Sequence, residues 1–91
     1  MLKKIKVEVI YALPDYQYRR LFKIDIGSNV EETIQKSGLL DLDLNIDLNV
    51  NKFGIYGKLV KLNNIVNNGD RIEIYRPLIS NYKKKFYKNN K

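Results

Sequence analysis

From Lys4 to Leu13 the chain alternates apolar and polar residues so regularly that one backbone conformation suits it far better than any other. Ile5, Val7, Val9, Tyr11 and Leu13 fall on one side, and Lys4, Lys6, Glu8, Ile10 and Ala12 on the other. A period of two carried by β-branched side chains predicts a strand buried on one face only. Such a strand needs neighbours in a sheet and a layer to cover its apolar face.

The following residues supply those neighbours. Pro14-Asp15 has the chemistry of a turn, with φ fixed at the proline and a side-chain acceptor beside it. A second strand is predicted from Gln17 to Ile26, with Phe22, Ile24 and Ile26 facing inward, so that the two strands form a hairpin. Gly27-Ser28 then opens a helix over about residues 29–37. Ser28 and Glu31 have the spacing of a capping box, Glu31 and Glu32 suit the positive helix start, and Lys36 suits its end. Val30 and Ile34, four residues apart, face the sheet, and Gly38 stands where a left-handed terminator is wanted.

Between residues 39 and 51 Leu40, Leu42, Leu44, Ile46, Leu48 and Val50 alternate with Asp and Asn. The period suggests a strand, but Asp and Asn are poor strand formers. The stretch is read as an irregular connection that drops leucines into the core, with at most a short paired segment. A third strand follows at Lys52–Tyr56 and, after Gly57-Lys58, a short fourth from Leu59 to Leu62. Asn63–Val66 resembles a single helical turn, and Asn68-Gly69-Asp70 a tight turn into a last strand, Arg71–Arg76, with Ile72 and Ile74 inward. Pro77 cannot donate to a ladder and ends that strand. The order ββαβββ predicts an α+β domain of the β-grasp (ubiquitin-like) class, a mixed four- to five-stranded sheet with one helix packed across it. Residues 1–80 form the domain and 81–91 a basic, flexible tail.

Composition narrows the function. The chain has no cysteine and no histidine, so thiolate chemistry, disulfides and imidazole catalysis are all excluded. Asp41-x-Asp43-x-Asn45 opens like a calcium loop, but Ile46 replaces the required glycine and Lys52 the bidentate glutamate. Ser28, Ser37 and Ser80 have no imidazole to activate them, and the five glycines are scattered singly. No enzyme activity, cofactor or metal is expected. No apolar run approaches the ~20 residues of a membrane span, which predicts a cytoplasmic protein without membrane insertion. The net charge of +7 is concentrated at one end: residues 82–91 contribute five lysines and no acid, leaving a body close to balance. Thirteen of the 17 basic residues are lysine, and Asn and Ile occur 11 times each, an enrichment that AT-rich coding produces without functional selection.

Two surfaces remain as candidates. With the first and last strands adjacent, Lys6, Glu8, Ile10 and Ala12 share the outward face with Arg71, Glu73 and Tyr75. Glu8 and Glu73 are then close, with Lys6 and Arg71 making the surface a set of solvated ion pairs. Ile10 and Tyr75 form an apolar spot ringed by charge, a composition suited to docking another protein. Arg76 and Pro77 extend it at one end of the sheet, where Tyr11 and Pro14 are also expected to gather. The candidate protein-binding residues are therefore Ile10, Glu73, Tyr75, Arg76 and Pro77, on a monomer with an unidentified protein partner. The alternative is nucleic-acid or ribosome binding by the tail, where Lys83, Lys84 and Lys85 would contact phosphates while Phe86 and Tyr87 stack on bases.

Four segments in order, Val9–Pro14, Gly38-Leu39-Leu40, Asn51–Lys58 and Gly69–Leu78, together resemble the RnfH family of small bacterial ubiquitin-like proteins. The resemblance covers roughly residues 3–80, leaving the lysine-rich tail outside it. It implies the β-grasp fold already reached from periodicity, and links by gene neighbourhood to Rnf-type electron transport or to a proposed toxin–antitoxin pair. It implies no catalytic residues. It also implies kinship with the ThiS and MoaD sulfur carriers, whose chains end in a reactive Gly-Gly. Here the last strand is followed instead by Leu78, Ile79 and Ser80 and then Tyr82–Lys88, so no carrier function is expected.

Overall fold

The computed structural model describes residues 3–76, which fold as β1 (Lys4–Ala12), β2 (Gln17–Asp25), α1 (Val30–Ser37), a 3-10 turn (Leu39–Leu42), β3 (Lys52–Ile55), β4 (Lys58–Val60) and β5 (Arg71–Tyr75). The strands form one five-stranded sheet in the order β2-β1-β5-β3-β4. Only the central β1–β5 pair is parallel, with Val9 opposite Ile72 and Tyr11 opposite Ile74; the other pairs are antiparallel. This is the mixed sheet with a single helix predicted from the periodicities. The predicted tail, the limit at residue 80 and Pro77 lie outside the described residues.

The alternation in β1 governs the packing. Ile5, Val7, Val9 and Tyr11 are buried against Ile34 of α1 and against Ile72 and Ile74 of β5 in a single core. A fully buried aliphatic side chain contributes about 1.5–3 kcal/mol, so this layer supplies most of the stability of a small domain without disulfides. The helix is only eight residues long and is held by that packing and its caps, not by propensity. Gly38 ends it in the left-handed region at φ 81°.

Three local expectations are corrected. The capping box is Asn29 with Glu32, one residue later than predicted: the Asn29 Oδ1 accepts from the Glu32 N–H at 2.8 Å, and the Glu32 carboxylate accepts from the Asn29 N–H at 2.9 Å. Ser28 is occupied elsewhere, since both its N–H and its hydroxyl donate to the Asp25 carbonyl. Ile26 is not inward; β2 stops at Asp25, Gly27 turns the chain at φ 94°, and Ile26 is 59% exposed. Asn63–Val66 is not a helical turn. The Asn64 N–H closes a turn onto the Lys61 carbonyl, after which Ile65 bridges Asn29.

This segment meets a need of the helix. The first amides of α1 have no partner within the helix. The Val30 and Glu31 N–H groups donate instead to the carbonyls of Asn64 and Leu62, while Val66 donates to the Ser28 carbonyl. Residues 39–51 are the expected irregular connection, without a paired segment. Asp43 and Asn45 sit at φ 58° and 61°, a region short polar side chains tolerate, and these reversals break the alternation into turns. Leu39 is buried, and Leu44, Ile46 and Leu48 pack half-buried against the core, whereas Leu42 and Val50 are exposed.

Candidate functional site

The side of the sheet away from α1 is open. Because residues paired across a ladder share a face, registers place side chains in rows on it. One row runs Arg19, Ile10, Glu73, Gly54, Leu59; beside it lie Leu21, Glu8 and Arg71.

Glu8 is the charged centre. It is nearly buried between Arg19, whose Nε donates to one carboxylate oxygen, and Arg71, whose Nε donates to the other at 3.1 Å. Burial pushes the carboxyl up, but the hydrogen bonds and charges of Arg19 and Arg71 outweigh it and hold Glu8 below the usual carboxylate range. The row extends to Tyr56, whose ring lies 5.7 Å beneath the Arg71 guanidinium carbon and whose hydroxyl donates to the Gly69 carbonyl. Tyr56 and Gly57 both have positive φ, 49° and 83°, the geometry of a two-residue hairpin loop between β3 and β4.

Tyr75 and Glu73 form the second cluster. The Tyr75 ring lies flat across Gly54, where a Cβ would come within 2.9 Å of two ring carbons. Only glycine leaves that space on β3. From there the Tyr75 hydroxyl donates to Glu73 Oε1, which also accepts from the Gly57 N–H at 3.0 Å. Burial, with the Glu73 carboxylate beside it, pushes the Tyr75 phenol up to about 12.

This shift has a sign that can be read in solution. The fold favours the protonated phenol, so the associated stability is complete below the ordinary value near 10 and is lost as pH rises through about 12. In an absorbance titration of tyrosinate, Tyr75→Phe is expected to remove the last phase. Gly54→Ala is expected to push the ring off β3, bring that phase back toward 10 and cost about 1–2 kcal/mol in urea unfolding. An unchanged final phase in Gly54→Ala would show that the ring does not depend on the glycine.

Ile10, Glu73 and Tyr75 share one shallow concavity of about 270 Å³, with Ala12, Gln17 and Arg71 on its walls. Arg76 is half-buried at the end of β5. Tyr11 stands at the same end of the sheet, opposite Ile74, on the inward face that its alternation predicted. The Lys83, Lys84, Lys85, Phe86 and Tyr87 group lies outside the described residues. Glu8 does not pair with Glu73, and Lys6 is not its counter-ion; Arg19 is. That partner was missed because it depends on the β1–β2 register, in which Arg19 stands opposite Ile10, beside Glu8.

Asn51 was missed as well. It is buried, accepts from the Asp47 N–H at 2.8 Å and donates to the Tyr75 carbonyl at 2.9 Å, tying the irregular connection to the end of β5. It also lines an open groove of about 670 Å³ between that connection and the β3–β4 hairpin. Ile10, Glu73, Tyr75 and Arg76 are not among its lining residues.

A model of the RnfH family of ubiquitin proteins matches residues 5–88. The chain belongs to the RnfH family. RnfH proteins similar to it include those of Pectobacterium carotovorum, 52% identical over 82 residues (90% of this chain and 85% of the relative), and Cronobacter sakazakii, 56% identical over 80 residues (88% and 83%). That of Shigella flexneri is 54% identical over 83 residues, covering 91% and 86%. The RnfH match runs past residue 80 and through Lys83–Tyr87, so the basic segment falls inside the family's span, not outside it as the motifs alone implied. Among the described residues no helix is long and apolar enough to cross a membrane.

Proposed function

We propose that the chain is a non-enzymatic ubiquitin-like interaction module, monomeric and cytoplasmic, that docks a protein partner on its open sheet face around Ile10, Glu73 and Tyr75 and along Arg76-Pro77. One observation carries this reading: the charged groups of that face are already fixed by one another. Arg19, Glu8, Arg71 and Tyr56 form one connected row, and Gly57, Glu73 and Tyr75 another, with half-buried Ile10 between them. A partner meeting side chains already held in place loses less entropy on binding than one that must order them. Ubiquitin-like family membership supports the same reading.

A photoreactive amino acid introduced at position 10, and separately at Lys36 on the helix face, tests it in the native cell. Adducts with a discrete protein are expected from position 10 and not from position 36. In the native chain, Ile10→Thr, which keeps a β-branched neutral side chain in the strand, should weaken that complex by about tenfold, as loss of a central apolar contact does, with the unfolding midpoint little changed. Equal labelling from both positions would remove the face from consideration, and turnover of a substrate by the purified protein would remove the non-enzymatic reading.

A further inference from the structure

Among the described residues β2 is an edge strand nine residues long, and its hydrogen-bonding pattern shows which of its backbone groups are spent. Tyr16 exchanges both bonds with Leu13, and the Ile26 N–H donates to the Lys3 carbonyl. In an antiparallel ladder this parity continues, so the even-numbered residues of β2 face β1 and the odd-numbered ones face outward. Two bonds confirm it: the Arg19 carbonyl accepts from the neighbouring Arg20 guanidinium at 3.2 Å, and the Asp25 carbonyl accepts from Ser28. The N–H groups of Gln17, Arg19, Leu21 and Lys23 and most of their carbonyls are thus directed away from the sheet.

The side chains of this edge carry charge of one sign. Arg19, Arg20 and Lys23 are cationic, and the sole acid on β2, Asp25, is paired to Lys4 at 2.8 Å. Lys23 stands directly opposite Lys6, and neither forms an ion pair among the described residues. Like charges directly opposed across a ladder are destabilising, so this pair is relieved by an added acid. Apolar groups lie between the cations: Leu21 is 69% exposed on the open face, and Tyr18 and Phe22 are only half-buried on the helix side.

We propose that the free edge of β2 accepts an extended segment of a partner protein, alternating acidic and apolar residues, as a sixth strand. The outward backbone groups of Gln17 to Lys23 supply the ladder; on the open face Lys23, with Arg19 on the same side, selects acidic side chains, and on the helix side Tyr18 and Phe22 take the apolar ones. Strand addition of this kind takes its affinity from main-chain bonds and its specificity from alternate side chains. The same charges reject a second copy of this chain: antiparallel pairing of two β2 edges about Leu21 sets Arg19 of one against Lys23 of the other. A nucleic acid satisfies the charge but cannot continue a peptide ladder.

Amide exchange on the full, isotopically labelled chain tests this with three probes: acetyl-Val-Glu-Val-Glu-Val-Glu-Val-amide, its Val-Lys counterpart and a single-stranded oligothymidine. At about nine-tenths occupancy, the glutamate peptide should slow exchange at Arg19, Leu21 and Lys23 about tenfold, leaving the already bonded Tyr18, Arg20 and Phe22 unchanged. The lysine peptide should not, and Lys23→Glu should turn the preference against the glutamate peptide. The neutral Lys23→Gln, which perturbs the fold less, should remove most of the discrimination. The proposal is overturned if these amides are unaffected at millimolar peptide, if both peptides protect equally, or if oligothymidine protects as well. Association of the free protein through β2 overturns it too. Perturbation confined to Ile10 and Tyr75 would also exclude the edge while leaving the open-face reading intact, so the two fail separately.

Discussion

Ile72→Ala is expected to lower the unfolding free energy by about 3 kcal/mol, within the 2–5 kcal/mol typical of emptying a filled aliphatic site. Ile72 has no exposed surface; it lies in the central strand, flanked in register by Val9 on β1 and Ile55 on β3, beneath the helix layer. Both neighbouring strands are fixed by their own ladders, so the site collapses poorly and most of the cavity persists. A chain of this length has roughly 5–14 kcal/mol in total, which makes this a large fraction. In urea, with a slope near 1 kcal/mol/M, the midpoint should fall by about 3 M without a change in slope. A loss below about 1 kcal/mol would mean that β5 is not the closed centre of the sheet.

Asn51→Ala is expected to cost about 2 kcal/mol, although it removes a residue with no apolar role. The alanine leaves the Asp47 N–H without its acceptor and the Tyr75 carbonyl without its donor, and a buried polar group without a partner costs about 1–3 kcal/mol. Asn51→Asp separates the two bonds. Its carboxylate still accepts from Asp47, but it has no N–H for the Tyr75 carbonyl and sets an anion against that oxygen. The aspartate variant is therefore expected to be no more stable than the alanine one. If aspartate restores native stability, the contact with β5 contributes nothing and only the loop turn matters. Amide exchange at Asp47 should accelerate in the alanine variant and stay near native in the aspartate one.

Much of the architecture was legible because it is local. The alternation in β1, the hydrophobic spacing of Val30 and Ile34 and the glycine after α1 each act over a few residues. The failures share a cause. Ser28-x-x-Glu31 and Asn29-x-x-Glu32 are both valid capping boxes in the sequence. The choice between them is made by Asp25, which engages Ser28, and by residues 62–66, which take up the first helix amides. The same long-range pairing extends Asn64–Val66 where their composition suggests a turn of helix. On the open face, the membership of Glu8, Glu73 and Tyr75 followed from alternation alone. Arg19 did not, because its place beside Glu8 depends on the length of the β1–β2 turn. Asn51 was invisible for a different reason: one asparagine among eleven carries no mark of being buried.

The parallel pairing of β1 with β5 also orders events during synthesis. The strand that closes the middle of the sheet is the last of the five to leave the ribosome, so β1 and β3 each wait with an unfilled side until Arg71–Tyr75 emerges. Until then the nascent chain has a hairpin and a helix but no interior to shelter them, and its apolar residues remain open to chaperones and to neighbouring chains.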